Sequence, residues 1–173
     1  MALGPDQHLV LIGLMGTGKT TVGRRVAALL DRPFVDNDVE LERRAGRTAR
    51  DVAAQDGVEA LHRMEADALG VVLARRPGAV VASPASVVEL ADVDARLAPH
   101  VVVWLDADPA AVARRIDGLD HRPLPEHDRV RQLAAMDRER RSTYARLADV
   151  TVHEGDDRPD ELARRVVAAV AAH

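Results

Sequence analysis

The first ordered feature of the chain is His8–Ile12, a continuous apolar run of the kind that a strand buried on both faces requires. Gly13–Gly18 reads as a glycine-rich turn, after which Lys19–Leu30 sets Val22, Val26, Leu29 and Leu30 at helical spacing. Beyond the turn at Asp31-Arg32, Pro33–Asp36 forms a short second strand. A helical pattern resumes over Val39–Arg44, breaks at Gly46 and restarts with Thr48 as N-cap. A long amphipathic stretch, Val58–Ala74, closes at Arg75-Arg76-Pro77-Gly78. Ala79–Ala82 and His100–Leu105 read as strands three and four joined by a helical connection. Pro109–Ile116 is helical, residues 117–128 are polar and carry Gly118, Pro123 and Pro125, and Arg129–Leu147 is helical again. Val150–His153 is a last strand and Pro159–Ala172 a closing helix. Strands alternating with helices predict an α/β fold with a parallel sheet covered on both faces. No repeat or linker divides the pattern, so residues 1–173 are expected to form one domain, with 117–128 as a short mobile lid.

Composition narrows the function more than the fold. With 173 residues, 47% hydrophobic and 30% charged, the chain suits a globular domain with a sizeable core. Aromatic residues are 2% of the total, so aliphatic side chains and alanine must fill that core, and stacking platforms for single-stranded nucleic acid are lacking. A formal charge of −4 gives no electrostatic footprint for a duplex or an anionic membrane. The absence of cysteine excludes disulfides and thiolate metal sites, and no histidines pair at i, i+4 for zinc. Met1–His8 lacks the features of a signal peptide, and no apolar run approaches a membrane span, so the cytoplasm is expected. Nothing in the pattern demands more than a monomer.

Gly13-Leu14-Met15-Gly16-Thr17-Gly18-Lys19-Thr20 fits G-x-x-x-x-G-K-[ST] and lies between a buried strand and a helix, the context that gives this motif its meaning. The glycines let successive backbone N–H groups face phosphate oxygens, and the helix beginning at Lys19 turns its positive end on the same anion. Lys19 is expected to reach the β- and γ-phosphates of ATP, and the Thr20 hydroxyl to ligate Mg²⁺. Thr21 follows on the same turn. Lys19 is also the only lysine in a chain that otherwise uses arginine. A planar guanidinium cannot take the place of a compact ammonium inside such a loop.

Phe34-Val35-Asp36-Asn37-Asp38 puts two carboxylates just past the C-terminal end of strand two, the edge where open α/β sheets bind ligands. One acid can hold magnesium or its waters, and the other can take a proton from, or orient, an attacking hydroxyl. A plain helix-capping role for Asp38 is the structural alternative. Arg122, in the polar stretch, suits a lid arginine that closes over the β/γ-phosphates. Of Arg140 and Arg141, ahead of Tyr144, one can bind an anionic substrate group bidentately. The other reading is a salt-bridged face among Asp137, Arg138 and Glu139.

Together these residues resemble the shikimate kinase family, from His8 to about Val152. The shared features are the phosphate loop, the Phe-Val-Asp-x-Asp segment, an Arg-Pro-Leu lid at Arg122-Pro123-Leu124, an arginine ahead of a tyrosine, and the turn Leu105-Asp106-Ala107-Asp108-Pro109. The resemblance implies that Asp36 helps hold magnesium and that Asp38 binds and deprotonates the acceptor hydroxyl. It implies that Arg122 touches ATP, that Arg115 lies beside adenine and that Arg140 holds a substrate carboxylate.

Two departures fall on the acceptor side. The family's carboxylate-gripping arginine, ahead of a glutamate, corresponds to His62 ahead of Glu65, a shorter and weaker carboxylate binder. Arg63, one residue on, points about 100° away around a helix. The family's three glycines after strand three give way to Ser83-Pro84-Ala85-Ser86, whose proline lacks an N–H and whose Cβ atoms take up space. The expectation is an ATP-dependent kinase acting on a hydroxyl of a small cyclitol, sugar or sugar-acid metabolite or antibiotic, with shikimate itself as the alternative acceptor. A nucleotide-binding pseudokinase and another P-loop kinase class, such as a nucleoside monophosphate or gluconate kinase, are the remaining readings. The latter is disfavoured by the short lid.

Overall fold

The computed structural model describes residues 3–116, 129–155 and 157–173. Five parallel strands, β1 (Leu9–Ile12), β2 (Phe34–Asp36), β3 (Val80–Ala82), β4 (Val101–Asp106) and β5 (Val150–His153), form one sheet in the order β2-β3-β1-β4-β5. Register runs Leu9 to Val80 on one side of β1 and Leu9 to Val101 on the other. β1 is therefore hydrogen-bonded along both edges and covered on both faces, which is why all four of its residues are apolar and buried.

Side-chain alternation along β1 sorts the core into two layers. Leu9 and Leu11 pack with Val22 and Val26 of α1 (Lys19–Leu29) and with Leu162, Val166 and Val170 of α8 (Pro159–Ala172). Val10 and Ile12 face the opposite layer, against Leu69 and Val72 of α4 (Val58–Leu73) and Tyr144 of α7 (Arg129–Leu147). On that face the Trp104 and Tyr144 rings stack with centroids 5.9 Å apart. Truncating a fully buried leucine of β1 to alanine would cost about 2–5 kcal/mol.

Smaller clusters join α6 (Pro109–Ile116) to α7 through Val112, Ile116 and Leu133, and join α2 (Asn37–Ala45) and α3 (Ala49–Asp56) to α4 through Leu41, Val52 and Leu61. Thr48 caps α3 as expected, in a capping box with Asp51. α2 begins at Asn37, two residues earlier than the apolar spacing suggests, because Asp36 supplies the cap. The connection from β3 to β4 is not a full helix. It is a 3-10 turn over Ala85–Glu89, entered from Pro84, followed by the short α5 (Val93–Leu97). Among the described residues no helix is long and apolar enough to cross a membrane.

Two buried histidines fasten the N-terminal ends of the central strands. The His8 backbone N–H donates to His100 Nδ1 at 3.3 Å, and the Ala79 N–H donates to His8 Nδ1 at 2.9 Å. Both Nδ1 atoms therefore act as acceptors, and His8 Nε2–H donates to the Leu73 carbonyl at 3.2 Å. The rings meet edge to face at 4.7 Å. Burial pushes the His100 imidazole down to about 4, aided by His8 and Arg76. Burial lowers His8 as well, partly offset by the Leu73 carbonyl. The folded state thus prefers both rings neutral, while the unfolded chain protonates near pH 6.5. Their stabilisation is complete above that pH and falls away as the pH drops toward 4. Melting temperature should decline across this window, and His100→Asn, whose amide oxygen can replace the Nδ1 acceptor, should show a shallower decline. An unchanged slope in the variant would place the acid sensitivity elsewhere.

Candidate active site

At the C-terminal edge of β1 the chain turns through residues 13–18 into α1. Gly16 sits at φ 78°. A Cβ there would lie 2.5 Å from Ile116 Cγ2 and 2.9 Å from Val112 Cγ1, so only glycine lets α6 close against the loop. Lys19 Nζ donates to the carbonyls of Gly13 and Leu14 at 2.8 and 2.7 Å, which draws the ammonium across the loop. Thr17 is buried, and its hydroxyl donates to the Leu14 carbonyl at 2.9 Å. Gly13 backs onto the Leu105 carbonyl. Gly13 and Thr17 therefore shape the loop from behind, whereas Met15, Gly16, Gly18, Lys19, Thr20 and Thr21 line a cavity of about 600 Å³.

Asp36 closes β2 and caps α2. One carboxylate oxygen accepts the Asp38 N–H at 2.9 Å, and the other accepts the Thr20 hydroxyl at 2.6 Å. The capping role that the sequence leaves open for Asp38 falls to Asp36 instead, and Asp38, in the first turn of α2, lies on the cavity wall. Thr20 and Asp36 are hard oxygen donors held together beside the phosphate loop. Among the described residues no cluster of three or more acids and histidines could cage a metal. One hydroxyl with one carboxylate fits a magnesium ion that draws its other ligands from phosphate and water.

The opposite wall comes from α4, the segment after β3, and α7. α4 presents Leu61, His62 and Glu65 to the cavity, while Arg63 is exposed and off the wall, as one residue of helical rotation demands. Ser83, Pro84, Ala85 and Ser86 also line the cavity. The Ser83 hydroxyl donates to the Leu11 carbonyl at 2.8 Å and the Ser86 hydroxyl to the Glu65 carboxylate, so both are committed to the framework. Asn37 Nδ2 reinforces this corner by donating to the Glu65 carbonyl at 3.1 Å.

From α7, Arg140 reaches the cavity and pairs with Glu89, at the end of the 3-10 turn, while His62 Nδ1 lies 2.9 Å from the other Glu89 oxygen. Tyr144 fixes the start of that turn by donating its hydroxyl to the Ala85 carbonyl at 2.8 Å. Burial holds this phenol well above its ordinary range, in keeping with a permanent donor. Arg141 departs from the site altogether. Its guanidinium lies 5.0 Å from the Trp104 ring centroid and pairs with Asp106 at 2.7 Å and with Asp137. The structure thus separates the two neighbouring arginines that the sequence leaves undivided. Arg115 is on the wall and pairs with Glu154 at 2.6 Å. Arg122 and the whole of 117–128 lie outside the described residues.

Glu89 is the residue that sequence reasoning passes over. It is one acid in a short turn, and its partner Arg140 is 51 positions away, so no local pattern marks it.

The family model for shikimate kinase matches residues 15–171 of this chain. A shikimate kinase from Thermobifida fusca is 39% identical over 164 residues, 94% of this chain and 94% of that protein. One from Mycobacterium tuberculosis is 36% identical over 159 residues, covering 91% and 90%. The solved structure of the Acinetobacter baumannii shikimate kinase in complex with shikimate matches with a TM-score of 0.91 at 27% identity, over 96% of this chain and 93% of that one. A phosphate loop on the central strand of a 2-3-1-4-5 parallel sheet, matched over nearly its whole length by these proteins, belongs to the shikimate kinase family of ATP-dependent kinases, which transfer a phosphoryl group to a hydroxyl.

Proposed function

We propose that the protein phosphorylates a hydroxyl of shikimate, with ATP as donor and Mg²⁺ as metal. It would act as a monomeric cytoplasmic enzyme whose residues 1–173 form one kinase domain. The observation that carries this reading is the shared cavity: Lys19 and Thr20 of the phosphate loop, Asp38 and Arg140 line a single space of about 600 Å³. That volume suits a drug-sized small molecule and is lined by the convergent polar groups expected of a ligand site. The whole-length likeness to shikimate kinases favours shikimate over other acceptors.

In this reading the backbone N–H groups from Met15 to Thr21 cradle the triphosphate at the positive end of α1. The Lys19 ammonium exchanges the Gly13 and Leu14 carbonyls for phosphate oxygens. Thr20 and Asp36 would hold magnesium, which when bound offsets charge on the β- and γ-phosphates. Asp38 accepts the acceptor's hydroxyl proton as that oxygen bonds to the γ-phosphorus and the bond to the β-bridging oxygen breaks. Arg115 borders the nucleotide. Arg122, assigned from its sequence setting alone, stabilises the transferring group. Arg140 faces the acceptor's carboxylate, and His62, Pro84, Ala85 and Ser86 shape its pocket.

A second reading, a kinase for another hydroxylated cyclitol, sugar or sugar acid, is favoured by one observation. His62 and Arg140 are both engaged with Glu89, where the family's arginine would serve the substrate. Steady-state assays at millimolar shikimate separate the two. ATP-dependent phosphate gain at ordinary kinase rates supports shikimate; its absence, with turnover on another cyclic polyol, supports the second reading. Lys19→Ala should lower turnover by about 10²–10³-fold and weaken nucleotide binding. Asp38→Asn should lower kcat by about 10²–10⁴-fold with ATP affinity nearly unchanged. Equal loss of rate and nucleotide affinity in the Asp38 variant would remove it from the acceptor side.

A further inference from the structure

Among the described residues, the basic side chains on the cavity wall fall into two groups. Lys19 belongs to the phosphate loop and Arg115 is paired with Glu154. At the other end stand His62 and Arg140, and both are engaged by one carboxylate. Glu89 Oε1 accepts from Arg140 Nη2, and Glu89 Oε2 lies 2.9 Å from His62 Nδ1. The Arg140 side chain is 11% exposed; among the described residues it also reaches the Ala85 carbonyl at a long 3.4 Å and sits against the Tyr144 hydroxyl. The Glu89 side chain is 41% exposed. An enclosed cation that faces the cavity is thus neutralised by a more exposed acid that does not itself line the cavity.

This arrangement has a direct electrostatic consequence. A carboxylate entering the cavity meets a guanidinium whose charge is already balanced, so it must either displace Glu89 or bind beside a like charge. Displacement is sterically open, because Glu89 ends the 3-10 turn with its side chain 41% exposed. The start of the turn, by contrast, is fixed by Tyr144 on the Ala85 carbonyl. The movable part is the acid, and the fixed part is the wall.

We infer that Glu89 is a specificity-determining residue of the acceptor site: a built-in counter-ion that competes with an acceptor carboxylate for Arg140 and His62. The protein accordingly discriminates weakly between anionic and uncharged acceptors of the same shape. The inference rests on the acceptor reading given above, since it takes the Arg140 end of the cavity as the place where the acceptor binds.

Glu89→Gln keeps the size of the side chain and removes its charge. Calorimetric titration with shikimate in the presence of ADP should give at least tenfold tighter binding to Glu89→Gln than to the unaltered protein. The uncharged methyl ester of shikimate should bind both proteins alike. Should the glutamine variant melt early, Glu89→Ala serves the same comparison. Equal or weaker binding of shikimate by the charge-removed protein, no measurable binding to either protein, or a parallel gain for the ester would each overturn the inference. The first of these outcomes would make Glu89 a prop that orients Arg140. Because binding is read without turnover, shikimate that binds but is never phosphorylated would count against the proposed reaction and leave this comparison intact.

Discussion

A single ammonium drawn over a turn of backbone organises this molecule's chemistry. Lys19 Nζ lies within 3 Å of two loop carbonyls, at 2.8 Å from Gly13 and 2.7 Å from Leu14. Those contacts tie the ammonium to the loop and hold its charge at the C-terminal edge of β1. The loop has a rigid floor. β1 beneath it is hydrogen-bonded on both edges and packed on both faces, and Gly16 lets α6 lie against the loop without a clashing Cβ. Fold and phosphate chemistry are therefore one constraint: a strand too apolar to move, ending in a loop too small to block its ligand.

The parts of this arrangement that are local were legible in the chain. Proline at the first helical position marks α6 and α8, and both begin at that residue. Thr48 followed by Asp51 announces the capping box. The glycine-rich motif between strand and helix is also local, as is the one-residue rotation that keeps Arg63 off the cavity. Choices stay open in the sequence where two local rules compete. Asp38 could have capped α2 or faced the cavity; the cap falls to Asp36, whose other oxygen accepts the Thr20 hydroxyl at 2.6 Å, and Asp38 lines the cavity. The segment after Pro84 has enough apolar residues for a helix. Contacts with α4 and α7 instead fix it as a 3-10 turn, through Ser86 on Glu65 and Ala85 on Tyr144.

What the sequence conceals is pairing at long range. Arg140 and Arg141 are neighbours in the same charged run, yet one enters the cavity and the other stacks on Trp104 and binds Asp106. Only the position of α7 on the sheet decides between them. Glu89 is invisible for the same reason, and its effect on Arg140 arises entirely from folding.

The serine and proline substitutions after β3 weigh differently once their contacts are known. Added Cβ atoms would narrow the acceptor space most if their side chains pointed into it. Ser83 spends its hydroxyl on the Leu11 carbonyl and Ser86 on Glu65, so both hydroxyls are held in the wall's framework. Pro84 and Ala85 also line the cavity, so the departure touches shape as well as charge. His62 brings a weaker carboxylate partner than a guanidinium, and Glu89 draws on that partner and on Arg140 together. If the acceptor binds at the Arg140 end, as proposed, this wall would lose part of the field that selects an anionic acceptor. The protein's likeness to shikimate kinases over nearly the whole chain is therefore compatible with local differences here, because the first concerns the fold and the second the charge and packing of one wall.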